Sequence, residues 1–116
     1  MRHGKQGRKF GRKKGQRRSF TTGLIHNLIM SDRITTTEAR AKEIKAKVEK
    51  LVTVAKKNDL AALRLLERRL PKVSAYRLYH EIAPRYKTRR GGYVRIKKTA
   101  LRRQRDNAPQ AIIEFI

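Results

Sequence analysis

Residues 34–57, ITTTEARAKEIKAKVEKLVTVAKK, carry the strongest periodic signal in the chain. Ala41, Ile44, Val48, Leu51, Val52 and Ala55 recur at the spacing that puts them on one stripe of an α-helix. Lys42, Glu43, Lys45, Lys47, Glu49 and Lys50 fill the other faces, so this helix should lie with one side on a core and the rest in water. Thr35 and Glu38 have the spacing of a capping box, in which the hydroxyl accepts from the N3 amide and the carboxylate reaches back to the cap amide. At the far end Lys56, Lys57 and Asn58 supply the charge sign and residue type that suit a helix C-terminus.

Outward from this helix the other elements follow from the same periodicity. On its N-terminal side Phe20, Leu24, Ile25, Leu28 and Ile29 predict a helix from about Arg17 to just before Asp32, and RITTT reads as a short strand or extended link. On its C-terminal side Asp59 can cap a third helix bearing Leu60, Leu63, Leu66 and Leu70, which Pro71 stops. A fourth helix from about Lys72 is expected to bury Val73, Tyr76, Tyr79 and Ile82 and to end at Ala83, before Pro84. The period then changes to two. In GYVRIKKTA, Tyr93, Arg95 and Lys97 alternate with Val94, Ile96 and Lys98, and AIIEFI follows the turn signal RDNAPQ as another strand. The fold class is therefore α+β: a compact helix-rich domain of about four helices with a small mixed sheet of two to three short strands, the late strands pairing as a hairpin. Residues 1–18 precede it as an extended basic arm, and residues 19–116 form the single domain.

Charge narrows the function. Thirty-two Lys and Arg residues against nine Asp and Glu leave a net +23 on 116 residues, a self-repulsion that makes physical sense beside a polyanion. It is unevenly placed: residues 1–18 hold nine bases and residues 85–105 hold ten, neither with an acid, whereas residues 33–83 mix thirteen bases with six acids. No cysteine is present, which removes disulfides and thiolate metal sites. His3, His26 and His80 share no metal-ligand spacing, so no metal site is expected, nor any other cofactor. The acids are scattered singly, Ser19, Ser31 and Ser74 lie in no nucleophile elbow, and no phosphate-binding loop motif occurs; nothing argues for an enzyme or a small-molecule substrate. No apolar run approaches the length of a membrane span, and the basic N-terminus has no apolar segment behind it, so neither membrane insertion nor a secretory signal is expected.

Binding is a better fit. In MRHGKQGRKFGRKKGQRR, glycine recurs every three or four residues among arginines, giving a thin chain that can approach a crowded backbone and set guanidinium forks on phosphates. Fully extended it would reach roughly 60 Å. Arg2, His3, Lys5, Arg8, Lys9 and Arg12 are its first candidate RNA contacts, and Lys13, Lys14, Arg17 and Arg18 complete the set. A solvated tail or a nuclear-import cluster would have the same composition. The second cluster, PRYKTRRGGYVRIKK, adds aromatics: Tyr86 and Tyr93 can stack on unpaired bases, while Arg85, Lys87, Arg89 and Arg90 clamp phosphates around a Gly91–Gly92 turn. Arg95, Lys97, Lys98, Arg102 and Arg103 extend that surface. The alternative for Tyr93 is packing on the sheet. Charge alone allows either an RNA-binding structural protein or a DNA-binding, nucleoid-type architectural protein.

Four segments in order, MRHGKQGRKFGR, ITTTEARAKEIKAKVEKLVTVAKK, IAPRYKTRRGGYVRI and DNAPQAIIEF, resemble the bacterial large-subunit ribosomal protein L17 family over nearly the whole chain. Arg2, His3, Gly7, Arg8 and Arg12 match its opening motif, and Arg85, Gly91, Gly92, Tyr93 and Arg95 the later one. Gln16, Arg105 and Gln110 depart from the residues usual in the family at those places. The resemblance implies a non-catalytic constituent of the large ribosomal subunit that supports translation, cytoplasmic and ribosome-bound. Its implied partners are 23S ribosomal RNA, held by the basic extension, and neighbouring large-subunit proteins.

Overall fold

A computed structural model describes residues 3–4 and 7–116; the proposed contacts Arg2 and Lys5 lie outside the described residues. The elements are four helices, α1 (Lys14–Ser31), α2 (Glu38–Ala55), α3 (Leu60–Arg69) and α4 (Lys72–Arg77), and a three-stranded sheet of β1 (Arg33–Thr37), β2 (Val94–Arg102) and β3 (Pro109–Phe115); α2 packs against the sheet and the other helices gather around α2 and one another. The sheet order is β1-β3-β2 with both pairings antiparallel, so the expected mixed sheet is antiparallel throughout, with the RITTT segment as its third strand. A parallel pair needs a long crossover, whereas β2 and β3 are joined by a short turn at residues 103–108.

Helix α2 forms where the stripe predicts it. Ala41, Ile44, Val48 and Val52 are wholly inaccessible, and Leu51 and Ala55 nearly so, because this one face meets Ile25, Leu28 and Ile29 of α1, Leu66 of α3 and Ala111 and Ile113 of β3 in a single core. Asn58 closes it in the left-handed region at φ 54°, donating its amide to the Ala55 carbonyl at 3.2 Å. The cap differs from the sequence expectation. Thr35 is committed to the β1 ladder opposite Ile112, and Thr37, the last strand residue, is the N-cap whose Oγ1 accepts from the Arg40 amide at 3.4 Å. Glu38 thereby falls at the first helical position, where it serves Lys42 at 2.7 Å instead of a capping box.

Three other elements shift for identifiable reasons. Helix α1 begins at Lys14, three residues earlier than the periodicity indicates, because Gln16 Oε1 accepts from the Lys13 amide at 3.3 Å and holds the first turn; the arm boundary at residue 18 therefore falls inside a helix. The fourth helix is α-helical only to Arg77. It widens to a π-helical turn at Leu78–Ile82, with the Ala83 amide donating to the Leu78 carbonyl, and tightens to a 3-10 turn at Ala83–Tyr86 around Pro84. The buried stripe of α4 and the π-helical turn runs through Ser74, Ala75, Leu78 and Ile82, one position round from the expected one, leaving Val73 62% and Tyr76 40% exposed where burial was expected. In α3, Leu66 is buried but Leu60 is not, since Ala62 takes the inward position one turn before it.

The capping assignment has a direct check. Thr37→Val should cost about 1 kcal/mol of stability in urea unfolding, while Thr35→Val, which keeps a β-branched residue in the strand, should stay within about 0.5 kcal/mol; the reverse ranking would return the cap to Thr35.

Candidate nucleic-acid interface

The N-terminal segment does not stand off from the body over its described length. Residues 7–13 are non-helical and turn back on the helices, with Gly11 and Phe10 both in the left-handed region at φ 61° and 53°. Phe10 meets Phe20 of α1 edge-to-face at 5.5 Å, and the Arg12 guanidinium lies 3.8 Å over the Phe20 ring while donating to the Phe10 carbonyl at 2.8 Å. Arg8 reaches Glu43 on α2 at 3.4 Å. His3 sits in an exposed turn. Lys9, Lys13, Lys14, Arg17 and Arg18 form no ion pair among the described residues, so their charges are left to solvent or to a ligand.

The second cluster divides by what its charges already meet. Arg85 pairs with Asp32 at 3.3 Å, Lys98 with Glu38 at 3.6 Å, and Arg103 with Asp106 in the hairpin turn. Arg95 and Lys97 both reach Glu114, at 2.7 and 3.0 Å. By contrast, among the described residues Arg89 and Arg102 bond only to backbone carbonyls, of Gly91 and Asn107, and Lys87 and Arg90 are exposed with no acidic partner. Gly92 takes φ 64°, the turn that the Gly91–Gly92 pair implied.

Its two tyrosines belong to the core. Tyr86 and Tyr93 are 3% and 2% exposed with ring centroids 5.3 Å apart, and the Tyr86 hydroxyl donates to the Ile116 carbonyl at 2.7 Å. Burial pushes the Tyr86 phenol up from its ordinary value. Lys56 closes the site from α2, donating to the Tyr93 hydroxyl at 2.8 Å and to the Arg89 carbonyl. Neither ring is free to stack on a base, which corrects that part of the sequence reading; Tyr93 packs because it precedes the first paired residue of β2 and escapes the strand alternation.

The folded chain brings the two basic clusters together at the start of α2. Arg12 from the N-terminal segment, Arg40 from α2 and Arg103 from the β2–β3 turn line one open pocket of about 290 Å³ with Phe10, Thr37 and Pro109. Arg40 also lies 4.9 Å over the Phe20 ring. Its proton affinity is held below the ordinary guanidinium value, first by burial and then by the charges of Arg103 and Arg12. Convergent guanidinium groups suit a phosphate, which each can bind bidentately, with Asp106 already holding Arg103. Arg40 was missed in the sequence because it sits in the mixed-charge middle of the chain; the only signal is its place in the first turn of α2. Among the described residues no group of three or more His, Asp or Glu could hold a metal ion, and no helix is long and apolar enough to cross a membrane.

Comparison with known proteins bears on this arrangement. The family described as Ribosomal protein L17 matches residues 20–116. Among curated relatives, a protein named Large ribosomal subunit protein bL17 from Thermodesulfovibrio yellowstonii is 46% identical, covering 100% of this chain and 87% of its own. Its namesake from Thermus thermophilus is 44% identical over 100% of this chain and 99% of its own, and that from Caldanaerobacter subterraneus 46% identical over 94% and 97%.

The outer face of the sheet supplies a pH-dependent check. Glu114 on the central strand is flanked by Arg33, Arg95 and Lys97, and the hydrogen bonds from Lys97 and Arg95 hold its carboxyl down at about 2. Because the folded value lies below the unfolded one, near 4.3, the contribution is complete above about pH 4.5 and is lost as pH falls toward 2. Glu114→Gln should flatten the stability loss between those two pH values, as followed by thermal unfolding; an acid limb unchanged in the variant would remove Glu114 from the account.

Proposed function

Since the chain belongs to the ribosomal protein L17 family, we propose that it is built into the large ribosomal subunit as a structural, non-catalytic component and binds 23S ribosomal RNA by electrostatic anchoring. It is a ribosomal structural protein and not an enzyme. The observation that carries the RNA reading is the convergence of Arg12, Arg40 and Arg103 from three separate segments on one pocket, where Asp106 on Arg103 offsets only part of the charge. Charges of one sign gathered at one place destabilise the free protein and are relieved by phosphates.

In this reading the first ten contacts proposed from the sequence act through Arg8, Lys9, Arg12, Lys13, Lys14, Arg17 and Arg18 among the described residues, and the later cluster through Lys87, Arg89, Arg90, Arg102 and Arg103. Arg85, Arg95, Lys97 and Lys98 contribute less, because each is already engaged by a carboxylate; Arg8 and Arg103, which meet Glu43 and Asp106, are discounted in the same way, and Arg103 keeps its place through the pocket it shares with Arg12 and Arg40. Gly91 and Gly92 shape the turn between Arg90 and β2. The exposed apolar side chains Val73 and Leu101 are available to neighbouring large-subunit proteins. Residence on the ribosome places the protein in the cytoplasm.

Two measurements test this. Binding to a large-subunit ribosomal RNA transcript should survive excess duplex DNA, and with six to ten phosphates neutralised it should weaken by about 10³- to 10⁵-fold between 50 and 200 mM salt. Equal affinity for the DNA would instead favour a DNA-binding architectural protein. The paired change Arg40→Gln with Arg103→Gln should lower RNA affinity by roughly tenfold or more, the value of one charge-assisted contact, with the thermal unfolding transition retained; undiminished affinity would leave the pocket without a role.

A further inference from the structure

A second basic concavity lies elsewhere on the molecule, between α1, α2 and α3, with a volume of about 580 Å³. Its walls carry Lys14, Arg17 and Arg18 from α1, Lys47 and Lys50 from α2, and Arg68 and Arg69 from α3, and its lining contains neither an acid nor an aromatic ring. The floor is formed by Thr21, Ile25, Leu51 and Leu70. Among the described residues only Lys47 of the seven bases meets an acid, Glu43 at the long distance of 3.9 Å, and that carboxylate is shared with Arg8. Arg17 Nε is buried with no hydrogen-bond partner. The first turn of α1, whose free amides and dipole already present partial positive charge, contains no acid and three of these bases close by.

Helix folding accounts for only part of this charge. Arg68 and Arg69 occupy the last turn of α3, where a cation suits the dipole. Lys14, Arg17 and Arg18 stand at the opposite, wrong end of α1 for their charge. An unrelieved buried donor and seven like charges around one trough cost stability in the free protein.

We infer that this groove seats one RNA sugar–phosphate strand, a contact separate from the Arg12–Arg40–Arg103 pocket. The inference rests on the RNA-binding reading above and deepens it. With no aromatic platform and no acceptor of charge, the groove recognises phosphates and leaves bases unread, so its contribution is independent of sequence. Lys47, Lys50, Arg68 and Arg69 are its residues on the folded body, and the sequence hid them in the mixed-charge middle of the chain, brought together only by the packing of α2 on α3 and α1.

The test replaces Lys47, Lys50, Arg68 and Arg69 by Gln, leaving the N-terminal segment and the β2–β3 turn intact. A charge-matched control replaces Lys45, Lys57, Arg64 and Lys72, which lie outside the groove. Binding of the full-length proteins to a large-subunit ribosomal RNA transcript is measured from 50 to 500 mM KCl. The groove variant should lose about 2 to 3 units from the slope of log K against log[salt], the release expected for up to four phosphate contacts on a single strand, while the control keeps the wild-type slope within about one unit. A groove variant with the wild-type slope and affinity, or a control equally impaired, overturns the inference and leaves RNA binding standing. A polyglutamate peptide that binds wild type but not the groove variant, with RNA binding the same in both, also overturns it by giving the groove to an acidic protein segment. Loss of RNA preference over duplex DNA in the wild type itself is the separate failure of the RNA reading.

Discussion

Twenty-three net positive charges on 116 residues have to be held at close quarters by a small core, and the placement of the nine acids shows how. Asp32, Glu38, Glu43, Glu49 and Glu114 each tie one segment to another, whereas Asp59, Glu81 and Asp106 act locally. Asp32, at the end of α1, takes Arg77 of α4 and Arg85 of the 3-10 turn. Glu114 on the central strand takes bases from both neighbouring strands, and Glu38 joins α2 to Lys98 of β2. Glu43 holds Arg8 of the N-terminal segment against α2, Asp59 caps α3 through the Ala62 amide, and Glu49 accepts from the Val94 amide at the start of β2. Each exposed pair stabilises by only about 0 to 1 kcal/mol. The main attraction is apolar: Ile44, Val48, Leu51 and Val52 of α2 alone, at about 1.5 to 3 kcal/mol each on burial, outweigh any one of those pairs several times over. What the acids decide is where repulsion is relieved inside the protein and where it is not.

In the proposed reading the unrelieved places are the ones that meet RNA. Among the described residues, bases lacking an acid collect along the first turns of α1, in the loop before β2 and along most of the groove between α1, α2 and α3, and no helix stripe or strand pairing needs them there. The Arg77 side chain is a useful contrast. It donates from Nε to the Ile29 carbonyl at 2.7 Å and reaches Glu81 and Asp32 with its other nitrogens, so its charge is consumed in closing the C-terminus of α1. Arg77 thus belongs to the scaffold, whereas Arg18 and Arg90 have no acidic partner among the described residues and are the ones proposed to meet a polyanion. A ribosomal protein that adds its positive charge to folded RNA has reason to carry the repulsion when free.

Much of this was legible in the linear sequence, and the misses have physical causes. The α2 stripe, the Asp59 cap and the two late strands are local patterns, and each appears where its spacing puts it. Thr37 displaced Thr35 as cap because strand pairing with β3, a contact across the chain, claimed Thr35 first. Val73 and Tyr76 are exposed because α4 turns the neighbouring Ser74, Ala75 and Leu78 to the core, a choice of face that the apolar spacing left open. Among the candidate contacts, composition found the acid-free clusters but could not tell Arg85, which meets Asp32, from Arg90, which meets no acid. Nor could it see Tyr86 turned inward onto Tyr93, or Arg40 drawn between Arg12 and Arg103. Those distinctions depend on which acid or ring lies opposite in space.

The claim that charge repulsion left uncompensated in the free protein is the basis of binding is tested most directly by the thermal midpoint of the isolated protein as NaCl is raised from 50 to 500 mM. Screening weakens both the ion pairs and the like-charge repulsion. The account predicts that repulsion dominates, so the midpoint rises with salt by several degrees, in keeping with a gain of about 1 kcal/mol for a domain of this size. A midpoint that falls or stays level would mean that the internal ion pairs already balance the charge, and would contradict it.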